Sequence, residues 1–111
     1  MSSSLNVRVI NPTGILSSST SAPLLKEFQE SIESGSRDVL VDLQGVTFID
    51  SSGLGVLVSM HSKAKLAGGN VYLCSPNDQA RGIIDITDLD RIFGIFADRA
   101  TFYKSLVTKG T

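Results

Sequence analysis

Apolar and polar residues change rhythm several times along this chain, and each change marks an element. Leu5 to Ile10 ("LNVRVI") alternates apolar with polar, as a strand with one buried face does. "NPTG" at 11–14 is a turn signal and "ILS" after it begins a second short strand, so an N-terminal hairpin is predicted. The hydroxyl-rich stretch Ser17 to Ser21 offers N-caps ahead of a helical pattern, and Pro23 suits the first turn. Leu24, Leu25, Phe28 and Ile32 then recur at helical spacing, with Lys26, Glu27, Gln29 and Glu30 off that stripe, until Gly35 stops it.

"DVLVDL" (38–43) is nearly continuous and β-branched, the mark of a strand covered on both faces, and Gly45 breaks it. A helix is predicted from about Ser52 to Ala67, ended by Gly68 and Gly69, followed by the strand "NVYLC" (70–74). Ser75 and Pro76 read as cap and first position of a short helix that buries Ala80, Ile83 and Ile84. "RIFGIF" (91–96) predicts a last strand, and Asp98 caps a final helix with Phe102, Tyr103, Leu106 and Val107 inward. The order ββαβαβαβα predicts an α/β fold: a mostly parallel mixed sheet with an N-terminal hairpin and about four packed helices. No repeat or linker interrupts it, so residues 1–111 read as a single domain with its core at about 5–107.

Composition sharpens this picture. With 111 residues, 41% of them hydrophobic, the chain can bury one core. A net charge of -1 without a basic patch argues against direct nucleic-acid binding. The single cysteine, Cys74, cannot form an internal disulfide, and with one histidine it cannot assemble a multi-ligand zinc site. "MSSSLNVRV" lacks a charged start followed by an apolar core, and no run approaches the roughly 18 apolar residues of a membrane span. A cytoplasmic protein without membrane insertion is expected.

Candidate chemistry concentrates in "FIDSSGLG", Phe48 to Gly55. Asp or Ser here can simply cap a helix, with Gly53 and Gly55 permitting a tight turn. A phosphate-cradling loop is a second possibility, but "GLG" is a fragment of G-x-G-x-x-G and no G-x-x-x-x-G-K-[ST] follows, so no nucleotide cofactor is expected. A hydrolase nucleophile is a third. The G-x-S-x-G elbow is absent, and His61 falls on the core-directed stripe Leu54, Leu57, Val58, His61, so an enzyme is not expected. The fourth is a serine that accepts a phosphate. At about 100° per residue, with Leu54 at the centre of the buried face, Ser52 projects roughly 160° away. It then shares an outer face with Val56, Ser59, Met60 and Lys63, a partner-binding candidate, while Ser51 lies nearer the sheet as the cap. A phosphate on Ser52 would suit the helix dipole yet be costly in a partly apolar interface.

The segment "VDLQGVTFIDSSGLGVLVSMHSKAKLAGGNVYLC" resembles the centre of STAS domains, in particular the bacterial anti-sigma factor antagonists. The likeness continues through "SPNDQARGIIDITDLDRIFGIF" and covers about Leu5 to Val107. It implies partner switching in transcription regulation. The unphosphorylated antagonist binds an anti-sigma factor, a serine kinase of the histidine-kinase-like ATPase type, and so releases a sigma factor. The kinase then phosphorylates the antagonist, which ends binding, and a PP2C-type phosphatase removes the mark. The second serine of the family's pair, the phosphoacceptor, maps to Ser52, within a switch loop of Asp50, Ser51, Gly53 and Gly55. The family often carries G-E-L-D at the end of the second strand; here the stretch is "GILS", with Ile15 and Ser17 at the acidic positions. STAS modules also serve as regulatory or scaffolding units for non-sigma partners, such as signalling phosphatase/kinase complexes or transport assemblies, which is the alternative reading.

Overall fold

The computed structural model describes residues 7–110 of the chain. Leu5 and Asn6 of the first predicted strand lie outside the described residues. The elements are β1 (Val7–Ile10), β2 (Gly14–Leu16), a 3-10 turn (Ser18–Thr20), α1 (Ala22–Glu33), β3 (Asp38–Asp42), β4 (Val46–Ile49) and α2 (Ser51–Leu66). They continue with β5 (Asn70–Cys74), α3 (Asp78–Ile86), a second 3-10 turn (Leu89–Arg91), β6 (Gly94–Phe96) and α4 (Arg99–Gly110).

A four-stranded parallel sheet runs in the order β1-β3-β5-β6, and β2 and β4 form a separate parallel pair. The predicted hairpin is corrected here: β1 pairs with β3 and β2 with β4, so the two N-terminal strands never pair with each other. The α/β class and the four helices stand. β4, which the apolar pattern left undivided from the loop before α2, is a strand of its own.

The strand order explains where the core lies. Each crossover steps the same way across the sheet, and a right-handed connection then places its helix on the same face each time. Accordingly α1, α2 and α3 cover one face, where Val39, Val41, Val71 and Leu73 meet Phe28, Leu57, Met60 and Ile84. Alternate residues of the same strands, Leu40, Tyr72 and Cys74, point to the other face. There α4 supplies Phe102, whose ring lies 5.1 Å from Tyr72 and 5.3 Å from Phe96. The Asp98 cap is in place, its carboxylate accepting the Thr101 amide at 2.7 Å, but Val107 is exposed rather than inward.

The short strand pair needs a further explanation, because β4 has a partner on one side only. Its free edge is satisfied by side chains from the start of α3. Asn77 Nδ2 donates to the carbonyls of Val46 at 3.3 Å and Thr47 at 3.1 Å. Gln79 Oε1 accepts the Ile49 amide at 2.8 Å, and its Nε2 donates to the Ile49 carbonyl at 2.7 Å. Asn77, not Ser75, is the N-cap of α3, accepting the Ala80 amide at 2.8 Å. Ser75 instead turns the chain at φ 59.

Candidate functional site

β4 delivers the chain to Asp50, and the "DSSG" sequence decides what happens next. Asp50 is extended (φ -100, ψ 179) and acts as the N-cap of α2, its Oδ1 accepting the Gly53 amide at 2.8 Å. An acceptor here satisfies one of the orphan donors of the first turn and places negative charge at the positive end of the helix dipole. The cap is therefore Asp50 and not Ser51, and the helix begins one residue earlier than the pattern predicts, leaving the Ser51 side chain exposed.

Ser52 sits where three segments meet. Its Oγ donates to Asp50 Oδ1 at 2.7 Å and accepts the Ser18 amide at 2.9 Å. Ser18 opens the 3-10 turn after β2, and that turn is knitted by its own hydroxyls, with Thr20 Oγ1 donating to the Ile15 carbonyl at 2.7 Å. The Asp50 carboxyl is held below its ordinary pKa by the Ser52 hydroxyl first and the Gly53 amide second. Ser52 is half-buried, so its candidacy rests on a fixed and polarised hydroxyl rather than on full exposure.

Gly53 is what allows this convergence. A Cβ at this position would fall 2.2 Å from the Leu16 carbonyl oxygen, so only glycine lets the first turn of α2 close on the end of β2. Gly55 has no such constraint; a Cβ there would meet open space.

The predicted outer face of α2 is only partly correct. Ser59 and Lys63 are exposed, and Val56 is half-buried against the core. Met60 is fully buried at 0% exposure, and its assignment to a partner-binding face is corrected. The buried residues Leu54, Leu57, Met60 and Ala64 centre on Leu57 rather than Leu54. That rotation of about 60° at 100° per residue carries Met60 into the core. His61 is half-buried, its ring edge-on to Phe93 at 5.4 Å and its buried Nδ1 without a hydrogen-bond partner among the described residues; burial is the first cause of its lowered pKa, Lys65 the second.

Two residues near Ser52 were missed by pattern alone. Ile15 of β2 and Phe48 of β4 are register partners, exposed at 56% and 47%. Phe48 lies in "VTFI", whose burial runs buried, exposed, exposed, buried instead of alternating. The signal that could have found Ile15 is its place at a position the resembling family often fills with an acid. Among the described residues no three His, Cys, Asp or Glu side chains gather to hold a metal ion, and no helix is long and apolar enough to cross a membrane.

With this geometry in hand, known proteins place the chain. The family model for the STAS domain matches residues 2–102. A provisionally named anti-sigma factor antagonist of Thermotoga neapolitana is 38% identical over 69 residues, 62% of this chain and 61% of that protein, so the chain spans about three fifths of that relative. The anti-sigma-B factor antagonist of Bacillus subtilis is 34% identical over 77 residues, 69% of this chain and 71% of that protein. The crystal structure of a Thermotoga maritima protein of the same provisional class superposes with a TM-score of 0.80 at 29% identity, covering 91% of this chain and 87% of the other. The chain belongs to the STAS domain family, among relatives named as anti-sigma factor antagonists.

Proposed function

We propose that this protein is an anti-sigma factor antagonist that works by partner switching, with Ser52 as the residue that is phosphorylated. The observation that carries the reading is the Ser52 hydroxyl itself, fixed between the Asp50 carboxylate and the Ser18 amide. Ser18 and Asp50, which hold it, follow β2 and β4, the strands that present the exposed apolar pair Ile15 and Phe48. In the unphosphorylated state, this surface docks on an anti-sigma factor with serine-kinase activity. The kinase transfers the γ-phosphoryl of ATP to Ser52 Oγ: the bond to the ADP oxygen breaks, the Oγ–P bond forms, and the hydroxyl proton leaves toward an acceptor. Asp50 Oδ1, at 2.7 Å, already receives that proton in a hydrogen bond.

Phosphorylation then ends docking by two routes. It brings nearly two negative charges beside apolar contacts that exclude water. It also removes the hydrogen bond from Ser52 to Asp50 and sets a like charge next to that carboxylate. A PP2C-type phosphatase restores the alcohol by hydrolysis.

Incubation with the anti-sigma factor kinase of the same genome and ATP tests the reading. One phosphate is expected on the wild type and on Ser51→Ala, and none on Ser52→Ala. Ser52→Asp is expected to release the kinase. Labelling confined to Ser51, or unchanged binding by Ser52→Asp, would overturn it.

A further inference from the structure

β4 is held on two sides by different means. On one side, β2 supplies a strand, with Leu16 the register partner of Ile49 and its carbonyl accepting the Asp50 amide at 3.3 Å. Strand geometry alternates the peptide groups, so the N–H and C=O of Ile49 point away from β2. On that side, among the described residues, there is no strand. The carboxamide of Gln79 bonds both groups, 30 residues away in sequence. One side chain thus does the work of a neighbouring strand at a single residue, and that residue immediately precedes Asp50.

The consequence runs along the backbone. The Ile49 carbonyl belongs to the peptide that enters Asp50, so the Gln79 amide, opposite the longer Leu16 contact on the Asp50 N–H, fixes the plane of that peptide. Asp50 must then direct one oxygen, Oδ1, to both the Gly53 amide at 2.8 Å and the Ser52 hydroxyl at 2.7 Å. A rotation of the incoming peptide would swing that carboxylate off one or both. Asn77 grips the same strand two and three residues further back, at Thr47 and Val46, where it cannot set the Asp50 peptide directly.

We propose that Gln79 is a positioning residue for the phosphorylation switch: its clamp on Ile49 aims the Asp50 carboxylate at Ser52 and so couples α3 to the reactivity of that serine. The proposal rests on Ser52 being the acceptor for what the aimed pair is used for, and on the clamp geometry alone for the aiming. It also gives α3 a route to the switch, since anything that shifts the start of α3 shifts Ile49.

The test compares Gln79→Ala with Asn77→Ser, which keeps a good cap for α3 and removes the donor to Val46 and Thr47. The Asp50 carboxyl is followed by NMR titration in each folded variant. Gln79→Ala is expected to move the Asp50 pKa up toward the ordinary aspartate value, and Asn77→Ser to leave it in place. With the kinase, Gln79→Ala is expected to lower kcat for Ser52 phosphorylation about tenfold with KM little changed, as misplacement of a reacting group does. Gln79→Met keeps the length of the side chain and removes both hydrogen bonds to Ile49 without adding a charge. It is expected to shift Asp50 in the same direction, and it carries the test if the alanine variant does not fold. An unmoved Asp50 titration in both Gln79 variants would overturn the proposal, leaving Gln79 as an edge filler. Failure of the wild type to be labelled at Ser52 would overturn the function proposed above, while the titration would still decide the clamp.

Discussion

Gly53 and Gly55 look alike in the sequence, yet the structure gives them opposite consequences. A side chain at Gly53 would meet the Leu16 carbonyl, a backbone atom that cannot rotate aside. Gly53→Ala is therefore expected to cost about 1–3 kcal/mol, the usual range for overpacking, and to separate α2 from β2. Gly55 lies exposed within the helix with open space around its missing Cβ, so Gly55→Ala should gain about 0.5–1 kcal/mol from helix propensity. Urea unfolding of the two variants checks both signs. The Asp50 cap adds a pH signature. A carboxylate whose folded pKa lies below its unfolded value stabilises the fold above the unfolded pKa and loses that contribution as pH falls through the folded one. Asp50→Ala should thus melt below the wild type at neutral pH, with the gap narrowing in acid. Thermal melts across that range would refute the assignment if the gap were constant.

Among the described elements, α4 alone covers its face of the sheet, and the Arg99–Asp42 ion pair joins its start to the strands. Arg99 Nε lies 2.6 Å from Oδ2 of Asp42, a residue 2% exposed at the end of β3. The other oxygen, Oδ1, accepts the Gln44 amide at 3.0 Å. Arg99→Ala leaves a buried carboxylate without its cation, and because the Arg99 side chain is itself 44% exposed, the cost falls below that of a fully buried pair, at about 1–3 kcal/mol. Comparing its chemical denaturation with that of Arg81→Ala, whose partner Asp85 is exposed and which should cost less than about 1 kcal/mol, isolates the effect of burial. The helices and the central strands were legible because their apolar periods are long, as with Leu24 and Phe28 on α1, whereas of the caps the sequence named, only Asp98 before α4 is the one that caps. The pairing of β1 with β3 was not, because a four-residue strand carries no information about which edge it joins. β4 was hidden for a related reason: Asn77 and Gln79 replace a neighbouring strand, so half of its pairing comes from a helix 30 residues on. A wheel centred on Leu54 lies about 60° from the axis of burial through Leu57; Ser52 is off the core on either, but Met60 changes sides.

At the scale of the molecule, the faces differ in what a substitution can report. Ile15 and Phe48 are register partners on the short strand pair, both substantially exposed, and they flank the segments that carry Ser18 and Asp50. A charge at either position meets water in the free protein, so Ile15→Asp and Phe48→Asp should keep the domain folded, at a cost of about 1 kcal/mol from lost strand propensity and partial burial. In a complex, the same charge would be desolvated against the partner. An apolar contact near the centre of an interface is worth about 2 kcal/mol or more, so either variant should weaken binding of the proposed kinase by roughly thirtyfold. Met60→Asp behaves in the reverse way. Its charge would lie among Leu57, Ala64 and the sheet at a site with no exposure, and it should unfold the domain rather than release a partner. Measuring stability and kinase affinity on all three separates the cases: loss of affinity with an intact fold at Ile15 and Phe48 supports this face as the docking surface. Full affinity in both would place docking elsewhere on the molecule, with the exposed Ser59 and Lys63 of α2 the next residues to vary.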